Sequence, residues 1–352
     1  NCIMELLDQF PGPRFNVKGI PHLYFGGTAY LGLQADPDFQ KCYMTNISRY
    51  GTHYGASRNA NVQLGIYNEA EQLLTEVVGA EAALTLSSGY LAGQLLANYF
   101  KGPDYALFYT RESHAALYSG KTPTSYSYSE LKEVLEKHLA AKKATPVLFL
   151  DTLENEEASY THFEYLRNLP VSQCIIFAYD SHGFGVMGKE GTGAYSVLAE
   201  LKPKALLVCF SLGKAIGIPA GAVVGPYEMI TKLAKTEFFG AASPASPAGL
   251  ATLIQSWGVI QNRSRQLQNY ISLFLSLLEN QDSFHFVPGQ PAFGYQNPGL
   301  TEFLMQKKVL VTHFHYPNED SEPTSRIVLT AAHSEKEIRR LAQLISQYFQ
   351  SH

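Results

Sequence analysis

Between residues 68 and 210 the chain repeats a pattern that few architectures satisfy. Short apolar runs at 82–86, 105–109, 147–150, 175–179 and 206–210 alternate with longer segments of helical period at 68–78, 87–100 and 129–141. A run of four to six apolar residues without polar alternation reads as a strand covered on both faces. Strands of that kind, separated by helices, predict an α/β sandwich around a mostly parallel sheet. Gly79 ends the helix at 68–78, and Ser87 and Ser88 open the one that follows.

The flanks read differently. Residues 1–30 form an irregular arm broken by Pro11, Pro13, Pro21 and the Gly26-Gly27 pair. Residues 248–278 predict one long helix, a connector. Beyond Gln281 shorter alternating runs, 309–315 and 326–330, precede a terminal helix from Ser334, as expected of a smaller α+β domain. The expected division is an arm over 1–40 joined to the small domain, a large α/β domain over 41–250, a connecting helix over 251–280 and the small domain over 281–352. No internal repeat or low-complexity segment interrupts it.

Composition enters mainly by exclusion. A net charge of −4 supplies neither a basic field for nucleic acid nor a polybasic membrane patch. Only 16% of residues are charged, which predicts surface buried against another subunit. Cys2, Cys42, Cys174 and Cys209 form no C-x-x-C pair, so free thiols in a reducing, cytoplasmic setting are expected. The uncharged stretch 238–262 is too rich in Ser, Pro, Gly, Gln and Asn for a membrane span. Asp8 and Pro11 break the apolar patch that a signal peptide needs.

The chemistry gathers at strand ends, where open parallel sheets place ligands. After the run at 206–210 come Ser211, Gly213 and Lys214, and Lys214 is the sole charge between Lys204 and Glu228. An ammonium amid apolar sequence is costly to desolvate unless it is paired or reacts as the neutral amine, which suits a Schiff-base lysine. A lysine at a loop tip with its head in water is the bland alternative. Asp180 ends the run at 175–179, with His182 two positions on; a ribose, a metal or a protonated pyridine ring each suits such a pair, as does a capped turn. Ser87-Ser88-Gly89-Tyr90 joins free N–H groups, hydroxyls and a helix dipole, either as an anion cradle or as a plain N-cap. His114 follows another strand end. His313 and His315 share a strand face with no cysteine or carboxylate to complete a metal set, and are read as structural. Neither a G-x-x-x-x-G-K-[ST] loop nor a G-x-G-x-x-G turn is present. An anion cradle, a strand-end acid, an aromatic histidine and a buried lysine together fit pyridoxal 5'-phosphate.

Taken together, Tyr30-Leu-Gly-Leu33, Gly55-Ala-Ser-Arg58, Ser87-Ser-Gly-Tyr90, Ser113-His114-Ala, Asp180-Ser-His182-Gly-Phe-Gly, Ser211-Leu-Gly-Lys214 and Arg326-Ile-Val-Leu-Thr-Ala-Ala-His333 resemble the α-oxoamine synthases. That branch of the aspartate-aminotransferase superfamily includes aminooxononanoate synthase, aminoketobutyrate CoA ligase and serine palmitoyltransferase. The resemblance spans residue 24 to the C-terminus. It implies the fold type I of pyridoxal-phosphate transferases, a homodimer with a shared active site, and acyl transfer from an acyl-CoA to a small amino acid. It implies that Lys214 binds the cofactor and later moves protons, that Asp180 pairs with the pyridinium, that His182 bonds the ring hydroxyl and that His114 stacks on the ring. Ser88, Gly89, Tyr90 and Ser211 then hold the phosphate, with Ser243 supplied by the neighbouring subunit, and Arg326 grips the substrate carboxylate.

Three departures fall on the rim of that site. Thr28 stands where the synthases carry an asparagine that seats the carboxylate, Tyr67 replaces a histidine, and 151–159 lacks the Ser-Met-Asp-Gly core. An aminotransferase on the same fold, and a non-catalytic relative that binds the cofactor without turnover, are the alternative readings.

Overall fold

The computed structural model describes residues 7–111, 113–141, 144–153, 163–315 and 323–351. Its centre is a seven-stranded sheet in the order β3-β9-β8-β7-β6-β4-β5, formed by Ala82–Leu86 (β3), Tyr105–Thr110 (β4), Ser125–Tyr126 (β5), Thr145–Asp151 (β6), Ile175–Tyr179 (β7), Ala205–Ser211 (β8) and Gly221–Gly225 (β9). Strands β8, β7, β6, β4 and β5 run parallel, and β9 lies antiparallel between β8 and β3. The mostly parallel sheet expected from the alternating runs is present.

Side chains alternate between two cores, one on each face of this sheet. Val147, Phe149, Ile175, Phe177, Tyr179, Leu207 and Cys209 join one core. Leu148, Leu150, Ile176, Ala178, Leu206, Val208 and Phe210 join the other. The helix Gly89–Tyr99 covers the first face, and the helix Ile66–Val78 belongs to the second core. Both faces are therefore dry, which explains why the strand sequences lack polar alternation.

The second sheet has the order β1-β2-β11-β12-β10, from Arg14–Val17 (β1), Ile20–Phe25 (β2), Ala292–Tyr295 (β10), Val309–His315 (β11) and Pro323–Val328 (β12). Within the arm that read as irregular, residues 14–25 form a hairpin. Lys18 and Gly19 both take positive φ, as a two-residue hairpin turn requires, and β2 then pairs in parallel with β11. Pro11, Pro13 and Pro21 obscured it, because a proline at a strand edge looks like punctuation in sequence.

The long connecting helix is two helices, Pro247–Gln255 and Trp257–Leu277. Ser256 breaks the run with φ −103° and ψ 8°, while its N–H still bonds the Thr252 carbonyl at 2.9 Å. The periodicity continues across such a break, so sequence alone does not reveal it.

Candidate functional site

The site is built where β6, β7 and β8 end. Asp151, the last residue of β6, lies directly across from Tyr179, the last of β7, and Tyr179 lies across from Cys209 of β8. By strand alternation this row faces the side covered by the helix Gly89–Tyr99. Ser211 continues the same face one pleat further on, and Lys214 follows three residues later.

Lys214 Nζ donates to Nε2 of His182 at 2.7 Å. With that nitrogen accepting, Nδ1 carries the ring proton and donates to the Tyr30 hydroxyl, also at 2.7 Å. Burial, helped by the charges of Lys214 and Arg326, holds His182 well below the ordinary histidine range, so the ring is neutral. Burial pulls Lys214 down to about 8, against the opposing pull of the Asp151 carboxylate. Asp151 itself is pushed up to about 6 by burial, although the Leu153 N–H and the Lys214 charge both favour its ionised form. The Gln34 side chain donates to the Lys214 carbonyl at 2.8 Å and pins the lysine's backbone.

The anion cradle has the shape expected of it. Ser88 caps the helix Gly89–Tyr99 by accepting from the Leu91 N–H at 3.1 Å. A Cβ on Gly89 would come within 2.7 Å of the Ser211 nitrogen, and one on Gly221 would overlap the Ser88 backbone. Three backbone segments therefore meet where glycine alone fits, and that close approach brings Ser211 to the helix N-terminus. Tyr90 is exposed beside it. Ser243 borders the cradle of its own chain, its carbonyl accepting from the Ser87 N–H at 3.2 Å.

His114 is held by the Ala116 N–H on its Nδ1 at 3.1 Å, and burial together with the Lys214 charge holds its pKa down to about 4. Its ring stacks on Tyr179, with centroids 4.6 Å apart and planes 12° from parallel. The Asp180 carboxylate is turned the other way. It accepts from the Thr152 hydroxyl at 2.6 Å and from the Ala194 N–H at 2.8 Å, on the opposite side of the sheet from Tyr179.

Arg326 lies in β12, half-buried, and its charge is felt at both His182 and Tyr30. Thr28 is exposed, two residues before Tyr30. Lys214, His182, His114 and Arg326 are thus within electrostatic reach of one another, whereas the Asp180 side chain faces away and, among the described residues, Thr28 makes no hydrogen bond to them. His313 pairs with the Ser325 hydroxyl at 2.9 Å. Asp151 and Tyr30 carry site roles that the sequence reading did not assign. A carboxylate closing an apolar strand, the same signal that drew attention to Asp180, would have found Asp151.

These residues suit pyridoxal phosphate at two points. The cradle suits a phosphate, and the lysine with its depressed pKa suits a carbonyl. No protein-family model matches the chain. The 8-amino-7-oxononanoate synthase of Aromatoleum aromaticum is 28% identical over 355 residues, covering 95% of this chain and 91% of that one. The chain is thus similar, over nearly its whole length, to proteins named 8-amino-7-oxononanoate synthase. A solved structure of SPT with PLP superposes with a TM-score of 0.82 at 17% identity, covering 98% of this chain and 92% of the other. The 8-amino-7-oxononanoate synthase of Francisella tularensis gives a TM-score of 0.73 at 18% identity, covering 94% and 98%. These two likenesses show that the chain shares their fold across nearly its whole length.

Proposed function

We propose that the protein is a pyridoxal-phosphate-dependent acyltransferase of the α-oxoamine synthase type, joining an acyl group from an acyl-CoA to a small α-amino acid. The observation that carries this reading is the Lys214 amine, drawn down to about 8 and held at 2.7 Å by a neutral histidine, three residues beyond the Ser211–Gly89 cradle. The chemistry that pyridoxal phosphate supplies when bound is an aldehyde for amines and a ring that draws electrons from the amino acid's α-carbon.

The chain's own residues do the rest. The free N–H groups at the start of the helix Gly89–Tyr99, with the Ser88 and Ser211 hydroxyls, bind the phosphate. Ser243 adds a polar group at the border of the same cradle. Lys214 holds the cofactor and afterwards moves a proton at the α-carbon, a task suited to an amine titrating near neutrality. The hydrogen bond from His182 to Tyr30 orients the imidazole, so the lysine keeps one position between proton transfers. Asp151 biases Lys214 toward its protonated form. Arg326, felt at His182 and Tyr30, binds the amino acid's carboxylate through its planar fork.

A homodimer and a cytoplasmic location belong to the same reading. They are supported by the low charge content, by exposed Met44, Val62 and Tyr90, and by the free thiols of Cys42, Cys174 and Cys209. Among the described residues no helix is long and apolar enough to cross a membrane.

The test is a panel of single amino acids, each with and without acyl-CoAs. Release of free thiol that depends on both partners supports the proposal. Conversion of the cofactor to its amine form, reversed by a keto acid and indifferent to acyl-CoA, would make the protein an aminotransferase. Uptake of cofactor with neither outcome would make it a silent binder.

A further inference from the structure

Three observations at the end of β7 point the same way. The face of this sheet that carries the cradle helix also carries Ile175, Phe177 and Tyr179, whereas Ile176 and Ala178 pack in the opposite core. Tyr179 lies flat against His114 at 4.6 Å, and its ring centroid is 5.8 Å from Lys214 Nζ. Asp180 is 1% exposed and spends its oxygens on Thr152 and Ala194, while a Cβ on Gly193 would strike its Oδ2. Backbone closes over that carboxylate on the side away from Lys214.

The other carboxylate near the site serves a different place. Asp151 stands on the same face as Tyr179, but its Oδ1 takes the Leu153 N–H at 3.0 Å and its charge is felt at Lys214 and Tyr30, the amine end of the site. A flat ring joined to Lys214 and lying beside His114 therefore meets Tyr179 at its far edge.

Resting on the cofactor reading above, we propose that Tyr179, and not a carboxylate, meets the nitrogen edge of the bound pyridine ring, so that the ring nitrogen stays unprotonated in the resting holoenzyme. A phenol is uncharged at neutral pH, whereas protonation of a pyridine in a buried site needs an ionised partner. The ring then draws electrons less strongly, and the site depends more on Lys214 and Arg326 than one with an acid at that edge. Asp180 is on this view a staple, tying the end of β7 to Thr152 and to the segment that carries Ala194.

The experiment is nitrogen-15 NMR of the full chain loaded with ring-labelled pyridoxal phosphate, at pH 7 and without substrate. The expected spectrum shows an unprotonated ring nitrogen in the wild type and in Tyr179→Phe. Tyr179→Asp should move the resonance to the protonated position. Thr152→Val loosens the Asp180 staple without touching the ring-facing row; it should lower the melting temperature and leave the resonance where it was. A protonated nitrogen in the wild type overturns the inference, and its loss in Asp180→Asn or Asp151→Asn would identify the acid responsible. Failure of the wild type to bind the cofactor at all, read separately as absorbance lost on gel filtration, overturns the cofactor reading and this inference with it.

Discussion

The amine of Lys214 lies 2.7 Å from Nε2 of His182, so the protonation states of the two groups are tied to each other. A charged imidazole there would face an ammonium across a hydrogen bond that neither could accept. The buried histidine therefore stays neutral, and burial, not this hydrogen bond, makes the lysine give up its proton more readily than a lysine in water.

Lys214 should stand out in a labelling experiment on the cofactor-free protein. Its acetylation by an amine-reactive anhydride, followed by peptide mass spectrometry, should reach half its maximal rate near pH 8, because its pKa is about 8. An ordinary lysine side chain in water titrates about two units higher. A midpoint for Lys214 shared with the surface lysines would remove the basis for its reactivity.

Asp151→Asn should lower that midpoint further, since the Asp151 charge holds the lysine's pKa up. The same variant tests a stability effect. The carboxyl has a folded pKa of about 6, raised from 3.8, so the native state binds more protons between those values and its stability falls as pH rises through that window. Asparagine lacks this titration. The melting temperature of the cofactor-free variant should exceed that of the wild type at pH 7 by about 2 °C or more, and the two should converge below pH 4. Equal pH profiles from pH 4 to 7 would contradict the raised pKa.

Gly89→Ala should damage the cradle specifically. The new Cβ would sit 2.7 Å from the Ser211 nitrogen, forcing the helix start away from β8. Affinity for pyridoxal phosphate, followed by fluorescence titration, should fall by about tenfold or more, on the order of 1.4 kcal/mol. Affinity for pyridoxal, which lacks the phosphate, should change far less. Gly102→Ala, with nothing within 4 Å of its Cβ, is the control and should be neutral in both titrations.

Arg58 and Glu71 form a two-pronged ion pair at 2.8 and 3.1 Å, with side chains only 10% and 12% exposed. Glu71 also accepts from the Thr85 backbone and hydroxyl, and Arg58 lies 4.1 Å from the centre of the Tyr67 ring. Removing one charge strands the other, so Glu71→Gln should cost about 3–5 kcal/mol in chemical denaturation. Rim replacements such as Tyr67 are thus part of a packed network, and a loss below about 1 kcal/mol would show the pair to be solvent-screened.

The runs over 82–86, 105–109, 147–150, 175–179 and 206–210 reappear as strands because strands covered on both faces are almost wholly apolar, with the buried Thr85 satisfied by Glu71. The helix start at Ser88 was legible for a related reason, since a cap is a local bond between neighbouring residues. The hairpin over 14–25 was not, because its partner β11 lies nearly three hundred residues away and its own prolines mimic a loop. The break at Ser256 was hidden because helical period survives it.

At the site the division is sharper. Lys214, His182, His114 and the Ser88–Gly89 turn carry their chemistry in residue type, and sequence order alone brought them to attention. Which way a strand-end side chain points is another matter. Asp180 and Tyr179 are adjacent, and a shift of one position in a pleated strand exchanges the two faces of the sheet. Sequence determined that an acid stands at the end of β7. The packing of the helix Gly89–Tyr99 on one face, and of Thr152 and Ala194 on the other, decided that Tyr179 faces His114 and that Asp180 does not.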